Sequence, residues 1–227
     1  MNKIIKEYVR GSKQEEANKK KILWVDFETT GLDKDKHAII TAGIIVDIGG
    51  EEYEKNYLTC VPYGVEVSDN ALKINNIELQ TILKHEHTSY TLYKEIQSIL
   101  NRYINRYDSA DKFYFAGYNS HFDKAFLAHL WQLNCWKDSD GKNYFGSYFH
   151  GGTIDLLAVA NFLYASGKID KLPDEGHKLS DLAKHFNIPI VGEIHNALTD
   201  IEVTKKIYEL FVKEAFKLTE SELIKSC

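Results

Sequence analysis

Three short segments place carboxylates where a folding chain rarely leaves them. In Val25-Asp26-Phe27-Glu28-Thr29-Thr30-Gly31-Leu32, an Asp and a Glu end an apolar run that begins at Ile22. Residues two apart in a strand point to the same face, so Asp26 and Glu28 project together. Two anions about 4 Å apart repel by roughly 4 kcal/mol at an effective dielectric of about 20, and a divalent cation is the natural compensation. The second segment, Gly117-Tyr118-Asn119-Ser120-His121-Phe122-Asp123-Lys124-Ala125-Phe126-Leu127, puts Asp123 in the first turn of a helix that follows another apolar strand. In the third, His195-Asn196-Ala197-Leu198-Thr199-Asp200, Asn196 suits an N-cap. Asp200 then lies about one turn into a helix, with His195 on the loop before it. Each segment alone has a plainer reading. Acids at strand ends are often solvated, an acid in a first helical turn answers the macrodipole, and a lone His before a helix is usually polar surface.

The elements that must position these residues follow from hydrophobic period. Ile22 to Phe27 suits a strand buried on both faces. Ala38 to Ile48, Gly49-Gly50 and Glu52 to Val61 read as an antiparallel hairpin. Residues 62–90 look irregular, with short helical pieces. Leu92, Ile96, Ile99, Leu100 and Tyr103 make one helical stripe. Phe113 to Gly117 reads as a fourth strand, and Phe122, Phe126, Leu130 and Leu133 mark a helix. Residues 137–152 are expected as a polar, Gly-rich surface loop, and Ile154 to Leu163 as an apolar helix or a strand-to-helix passage. Leu179, Leu182, Ala183 and Phe186 mark a short helix stopped near Pro189. Ala197, Ile201, Tyr208 and Phe211 mark a long last one. Strands first and then mostly helices, with one β–α–β alternation, predict an α/β protein with a mixed sheet.

Composition bounds what such a site could serve. The 227 residues are 44% apolar and 27% charged, ordinary for a globular domain. A net charge of −5 argues against a protein that coats duplex nucleic acid through many Lys and Arg contacts, though not against an enzyme that grips a few nucleotides. Residues 1–21 carry +4 and the remainder about −9. We therefore expect a basic extension over 1–20, in which Ile4, Ile5, Tyr8 and Val9 could line one helical face. A catalytic domain over 21–215 and a tail over 216–227 would follow. Cys60, Cys135 and Cys227 are too few and too scattered for a disulfide framework, which points to a reducing, cytoplasmic setting. No run of about 18 apolar residues could span a membrane, and no secretion signal is visible. The other histidines form no second metal constellation, and His85-x-His87 lacks a third ligand.

Asp-x-Glu, then Asn-x-x-Phe-Asp, then His-x-x-x-x-Asp, each at an element boundary, resembles the pattern of the DEDDh exonucleases. Asp26-Phe27-Glu28-Thr29-Thr30-Gly31-Leu32 resembles their first motif almost letter for letter, Tyr118 to Asp123 the second, and His195 to Asp200 the third. The similarity runs over about residues 21–212 and is greatest to the proofreading, epsilon-type (DnaQ-like) subunits of bacterial DNA polymerase III. Thr153-Ile154-Asp155-Leu156 and Leu179-Ser180-Asp181-Leu182 also fall where that family has a strand end and a Leu-x-x-Leu helix. Three details qualify the match. Tyr118-Asn119 replaces the usual His-Asn. Ile74-Asn75-Asn76-Ile77 replaces Ile-His-Gly-Ile. Asn196 and His195 together indicate the histidine subclass over the tyrosine one.

The resemblance implies a ribonuclease-H-like fold, a mixed five-stranded sheet flanked by helices. It also implies hydrolysis of the 3′-terminal phosphodiester with release of nucleoside 5′-monophosphates. Asp26, Glu28, Asp123 and Asp200 would hold two divalent cations, Mg²⁺ or Mn²⁺, about 3.5–4 Å apart. His195 would be the general base, histidine being the side chain that titrates near neutrality. Thr29, Thr30, Gly31 and Leu32 would hold the terminal nucleotide, with Gly31 allowing close backbone approach and Leu32 packing on a base. Asn119 would touch or orient the substrate. Phe122 and Tyr118 are candidates for stacking, although aromatics at such places are more often core. The implied partner is a nucleic acid with a free 3′ end, single-stranded DNA before RNA, together with a DNA polymerase subunit if the chain proofreads. The competing readings are an RNA 3′-end trimming enzyme, a non-catalytic polymerase-binding module and a small-molecule phosphohydrolase.

Overall fold

One mixed sheet organises the chain, with strands in the order β3-β2-β1-β4-β5. The computed structural model describes residues 19–62, 64–78, 80, 83, 87–135, 143–169 and 178–225, with side chains to Lys213 in the last helix. The strands are β1 (Lys21–Thr29), β2 (Ile39–Ile48), β3 (Glu51–Thr59), β4 (Phe113–Gly117) and β5 (Phe149–Asp155). β2 pairs antiparallel with both β1 and β3, whereas β4 pairs parallel with β1 and β5 with β4. The helices are α1 (Asp69–Ile74), α2 (Ser89–Tyr103), α3 (Ser120–Asn134), α4 (Phe145–Tyr148), α5 (Leu156–Ala165), α6 (Leu179–His185) and α7 (Ala197–Lys225).

β1 is the central strand, and its alternation sorts the molecule into two layers. Leu23, Val25 and Phe27 face one way, onto Leu92, Ile96 and Leu100 of α2 and Phe126, Leu127 and Trp131 of α3. Ile22 and Trp24 face the other way, onto Leu156 and Ala160 of α5, Leu182 and Ala183 of α6, and Ile201, Val203 and Ile207 of α7. Asp26 and Glu28 continue this second series past the apolar stretch, on the face that α7 covers. On β2 the same face carries Asp47, which lies 3.4 Å from Lys205 of α7.

The predicted hairpin forms across Gly49 and Gly50, which have φ of 66° and 88°. The stripe on α2 is buried at Leu92, Ile96, Ile99 and Leu100. Leu133, assigned to the buried face of α3, is 49% exposed. The largest departure concerns the loop expected over 137–152. α4 lies within it, and the fifth strand begins at Phe149. Gly151 and Gly152 hide that strand from a propensity reading. It forms because, as an edge strand, it needs only one partner, and Phe115 and Gly117 of β4 face Thr153 and Asp155. Residues 136–142, the expected N-terminal helical face at Ile4 to Val9, and several residues of the 62–90 stretch lie outside the described residues. α7 continues past residue 215 to Lys225 without a break.

Candidate active site

The carboxylates come from three elements that meet at the C-terminal end of β1. Asp26 and Glu28 stand on β1 itself. Asp123 sits in the first turn of α3, 3% exposed, and its Oδ1 accepts the backbone N–H of Phe27 at 2.9 Å. Asp200 lies one turn into α7 and is 8% exposed. Its Oδ2 accepts the backbone N–H of His195 at 3.2 Å, while its buried Oδ1 has no hydrogen-bond partner. Asn196 caps α7 as expected, its Oδ1 accepting from the N–H of Leu198 at 3.1 Å and of Thr199 at 3.3 Å.

Two non-glycine residues in the left-handed region set up these turns, Asn119 at φ 60° and His195 at φ 66°. Such backbone is sparsely populated and persists only where its surroundings over-determine it. At Asn119 the determinant is Asp155 at the end of β5, whose Oδ1 accepts the Asn119 N–H at 3.1 Å while capping α5 through Leu157 at 3.0 Å. At His195 it is Asp200 itself.

Gly43 on β2, directly across from Asp26, completes the frame. A Cβ there would fall 2.2 Å from the carbonyl oxygen of Ala197 and 2.7 Å from the nitrogen of Leu198. The missing side chain lets the first turn of α7 lie on the sheet and bring Asp200 to the β1 acids. Gly43 and Asp155 were given no role from the sequence. A glycine inside an otherwise β-branched strand was the available signal for the first.

Electrostatically the site is short of positive charge. Burial pushes the Asp26 carboxyl well above its ordinary range, and the charges of Asp123, Glu28 and Asp200 push it further. Burial, then Asp200, raises Glu28 to about 8. Asp123 is also raised well up by burial, against the pull of its backbone N–H donors. Asp200 rises to about 6 through burial, opposed by the His195 N–H and ring. Glu28, Asp200 and the exposed His195 offer one ligand atom each within 4.8 Å of one another. Oxygen-rich, mutually repelling and with an orphaned carboxylate oxygen, this set fits a hard divalent cation.

The residues expected to hold the terminal nucleotide divide into an inward and an outward part. Thr29 and Thr30 are buried, and their hydroxyls are committed inward. Thr29 Oγ1 donates to the carbonyl of Gly31 at 2.7 Å, and Thr30 Oγ1 donates to that of Glu66 at 2.8 Å. Asn75, in the departing Ile-Asn-Asn-Ile stretch, donates its amide to the Thr29 carbonyl at 3.2 Å. The close approach at Gly31 is to the ring of His37, 2.3 Å from where a Cβ would be. Leu32 alone is thrust outward, 85% exposed. Phe122 is half-buried, its ring tilted at 47° against that of Phe126 with centroids 4.8 Å apart, and Tyr118 packs on the second core cluster. The Asn119 side chain makes no cap hydrogen bond.

Acids gathered at the C-terminal end of the central strand of this mixed sheet mark a ribonuclease-H-like fold. The RNase_T family model, described as Exonuclease, matches residues 23–208, and the chain belongs to that family, within the DnaQ-like superfamily. The chain is similar in fold to Escherichia coli exonuclease I in its zinc-bound complex with single-stranded DNA. The TM-score is 0.69 at 19% identity, over 90% of this chain and 43% of that one. The complex of the same enzyme with a dT13 oligonucleotide gives 0.69 at 20% identity, over 89% and 43%. A product-bound exonuclease I gives 0.66 at 19%, over 85% and 43%. The chain thus spans less than half the length of these proteins. No curated protein shows significant sequence similarity to it. Among the described residues no helix is long and apolar enough to cross a membrane.

Proposed function

We propose that this domain is a metal-dependent 3′→5′ exonuclease that trims single-stranded DNA from a free 3′ end and releases nucleoside 5′-monophosphates. The observation that carries the reading is the convergence of Asp26, Glu28, Asp123 and Asp200, with Asp200 Oδ1 buried and unpaired beside His195. These four carboxylates would hold two Mg²⁺ or Mn²⁺ ions. Such ions, when bound, supply Lewis-acid stabilisation of charge on the phosphoryl oxygens. The chain's own residues do the rest. His195, exposed at the mouth of the site, takes the proton of the attacking water, and its backbone N–H keeps Asp200 aimed inward. Thr29 and Thr30 fix the loop that presents Leu32 to the terminal base. Asn119, held left-handed by Asp155, leaves its amide free of the helix cap for the substrate.

Single-stranded DNA is bound in the related exonuclease I structures, which supports DNA as the substrate. Parallel release assays on DNA and RNA of equal sequence test that choice. The resemblance of the first motif to polymerase-associated proofreading subunits extends the reading to a polymerase partner, which co-purification with replicative polymerase subunits tests. The free, buried thiols of Cys60 and Cys135 suit a reducing, cytoplasmic setting. The decisive assay compares a linear strand with a covalently closed circle, in Mg²⁺ and in chelator. Release of 5′-mononucleotides from the linear strand alone, and only with metal, is expected. Efficient cutting of the circle would overturn the reading.

A further inference from the structure

Thr41 of β2 pairs with Glu28 in the β1–β2 register, one step along from the pair of Gly43 and Asp26. Paired residues of two antiparallel strands share a face, with Cβ atoms about 4.5–5.5 Å apart. Thr41 therefore stands on the face that carries the β1 acids and receives the first turn of α7. It is 6% exposed, and its buried Oγ1 has no hydrogen-bond partner. Directly beyond it the register slips. Thr29 faces Ile39, so β2 carries Ile40 as an extra residue. Bulges of this kind re-aim neighbouring side chains and are over-represented next to active sites. Resting on the proposed exonuclease reading, we infer that Thr41 is a positioning residue for the metal site: its hydroxyl donates to the Glu28 carboxylate when a divalent cation holds that group, and so fixes the rotamer in which Glu28 meets the cation.

A buried hydroxyl without a partner is unfavourable, and a threonine within a sheet has easy alternatives. Thr59 of β3 faces Thr41 on its other side, and threonines opposed across two strands can share a hydrogen bond. Thr41 Oγ1 makes no such bond. The neighbouring Thr29 and Thr30 commit their hydroxyls to backbone carbonyls, and Thr204 of α7 donates to the carbonyl of Asp200 at 2.8 Å. Thr41 alone of these four keeps a free donor, in the position paired with Glu28. Asp200 Oδ1 is a second buried orphan among the residues of the site. One orphan is an acceptor fit for a cation, and the other is a donor for a carboxylate that a cation would hold. Hydrogen-bond partners of ligating carboxylates orient them, and losing one typically costs about 10–100-fold in metal affinity.

The test titrates Mn²⁺ into the full chain by calorimetry and melts each protein in chelator. Thr41→Val keeps the shape and removes the hydroxyl. It should weaken Mn²⁺ binding by about tenfold or more. Having lost only an unpaired buried group, it should melt in chelator no lower than wild type. Thr41→Ser keeps a hydroxyl and should recover most of the affinity. Thr59→Val, on the far side of Thr41, should leave the affinity unchanged. A Thr41→Val protein that binds Mn²⁺ as tightly as wild type overturns the positioning role and leaves the exonuclease reading intact. So does a Thr41→Ser protein as weak as Thr41→Val, or an equal loss in Thr59→Val. A lower melting temperature of Thr41→Val in chelator also overturns the role, because the hydroxyl would then belong to the empty fold. A wild-type protein that takes up no Mn²⁺ overturns both.

Discussion

Asp200 divides its two oxygens between the protein and the space where a cation belongs. Oδ2 is held by the His195 N–H, and Oδ1 has nothing. Removing its charge should therefore help the empty fold and harm the loaded one. Asp200→Asn is expected to raise the melting temperature in chelator by a few degrees, since ~1 kcal/mol corresponds to about 2–4 °C at this size. It should also shrink the rise caused by Mn²⁺, which for wild type is RT ln(1 + [L]/Kd), or about 2.7 kcal/mol at a hundredfold excess. An undiminished Mn²⁺ shift would place Asp200 away from the cation. His195 separates two roles that the geometry brings close. Acting as a base, His195→Ala should lower kcat by about 10²–10⁴-fold and leave Mn²⁺ affinity near wild type in titration calorimetry. A matching loss of metal affinity would make the ring a ligand instead.

At the scale of elements, the site depends on how closely α7 lies on β2. Gly43→Ala would drive a methyl group into the Ala197 carbonyl. The first turn of α7 must then lift, at a typical overpacking cost of ~1–3 kcal/mol. Mn²⁺ affinity and turnover should fall together, far more than a comparable loss of stability elsewhere would cause, as a paired calorimetric titration and thermal melt would establish. This contact also marks what the sequence could and could not tell. The strand from Ile22, the glycine hairpin, the α2 stripe and the order of the three acidic motifs were legible, because each is a local period or a local cap. The seat for α7 was not, because nothing local says which helix will land on Gly43. Nor was the start of β5, since an edge strand with two exposed glycines has no pattern of its own; only its end at Thr153 to Asp155 was legible, through the resemblance. Thr29 and Thr30 were singled out as substrate-binding, but the inward turn of the Thr30 hydroxyl depends on Glu66, distant in sequence.

For the molecule as a whole, buried acids with raised pKa values make stability depend on pH in a fixed direction. Glu28 moves from an ordinary 4.5 to about 8, and Asp200 from 3.8 to about 6. Each binds its proton more tightly folded than unfolded, so its stabilising share is complete below the unfolded value and is lost as pH rises through the folded one. In chelator the melting temperature should therefore decline between about pH 5 and pH 8, by several degrees. Saturating Mn²⁺ should flatten or reverse that slope, because a cation needs the ionised carboxylates. A chelated protein that gains stability over this range would contradict the burial of these acids.

β1 pairs with β2 nearby in the chain but with β4 in parallel across a long connection, and α7 arrives only at the end of the matched region. Long-range parallel pairing and helix docking come late when a chain folds, after loop-closure entropy has been met. The acids are then still apart in the transition state, and a cation has no assembled site to grip there. Mn²⁺ should accordingly leave the refolding rate almost unchanged and slow unfolding by nearly the whole of its equilibrium effect. Stopped-flow refolding and unfolding with and without the ion would reveal the cation as a lock on the finished structure rather than a guide toward it.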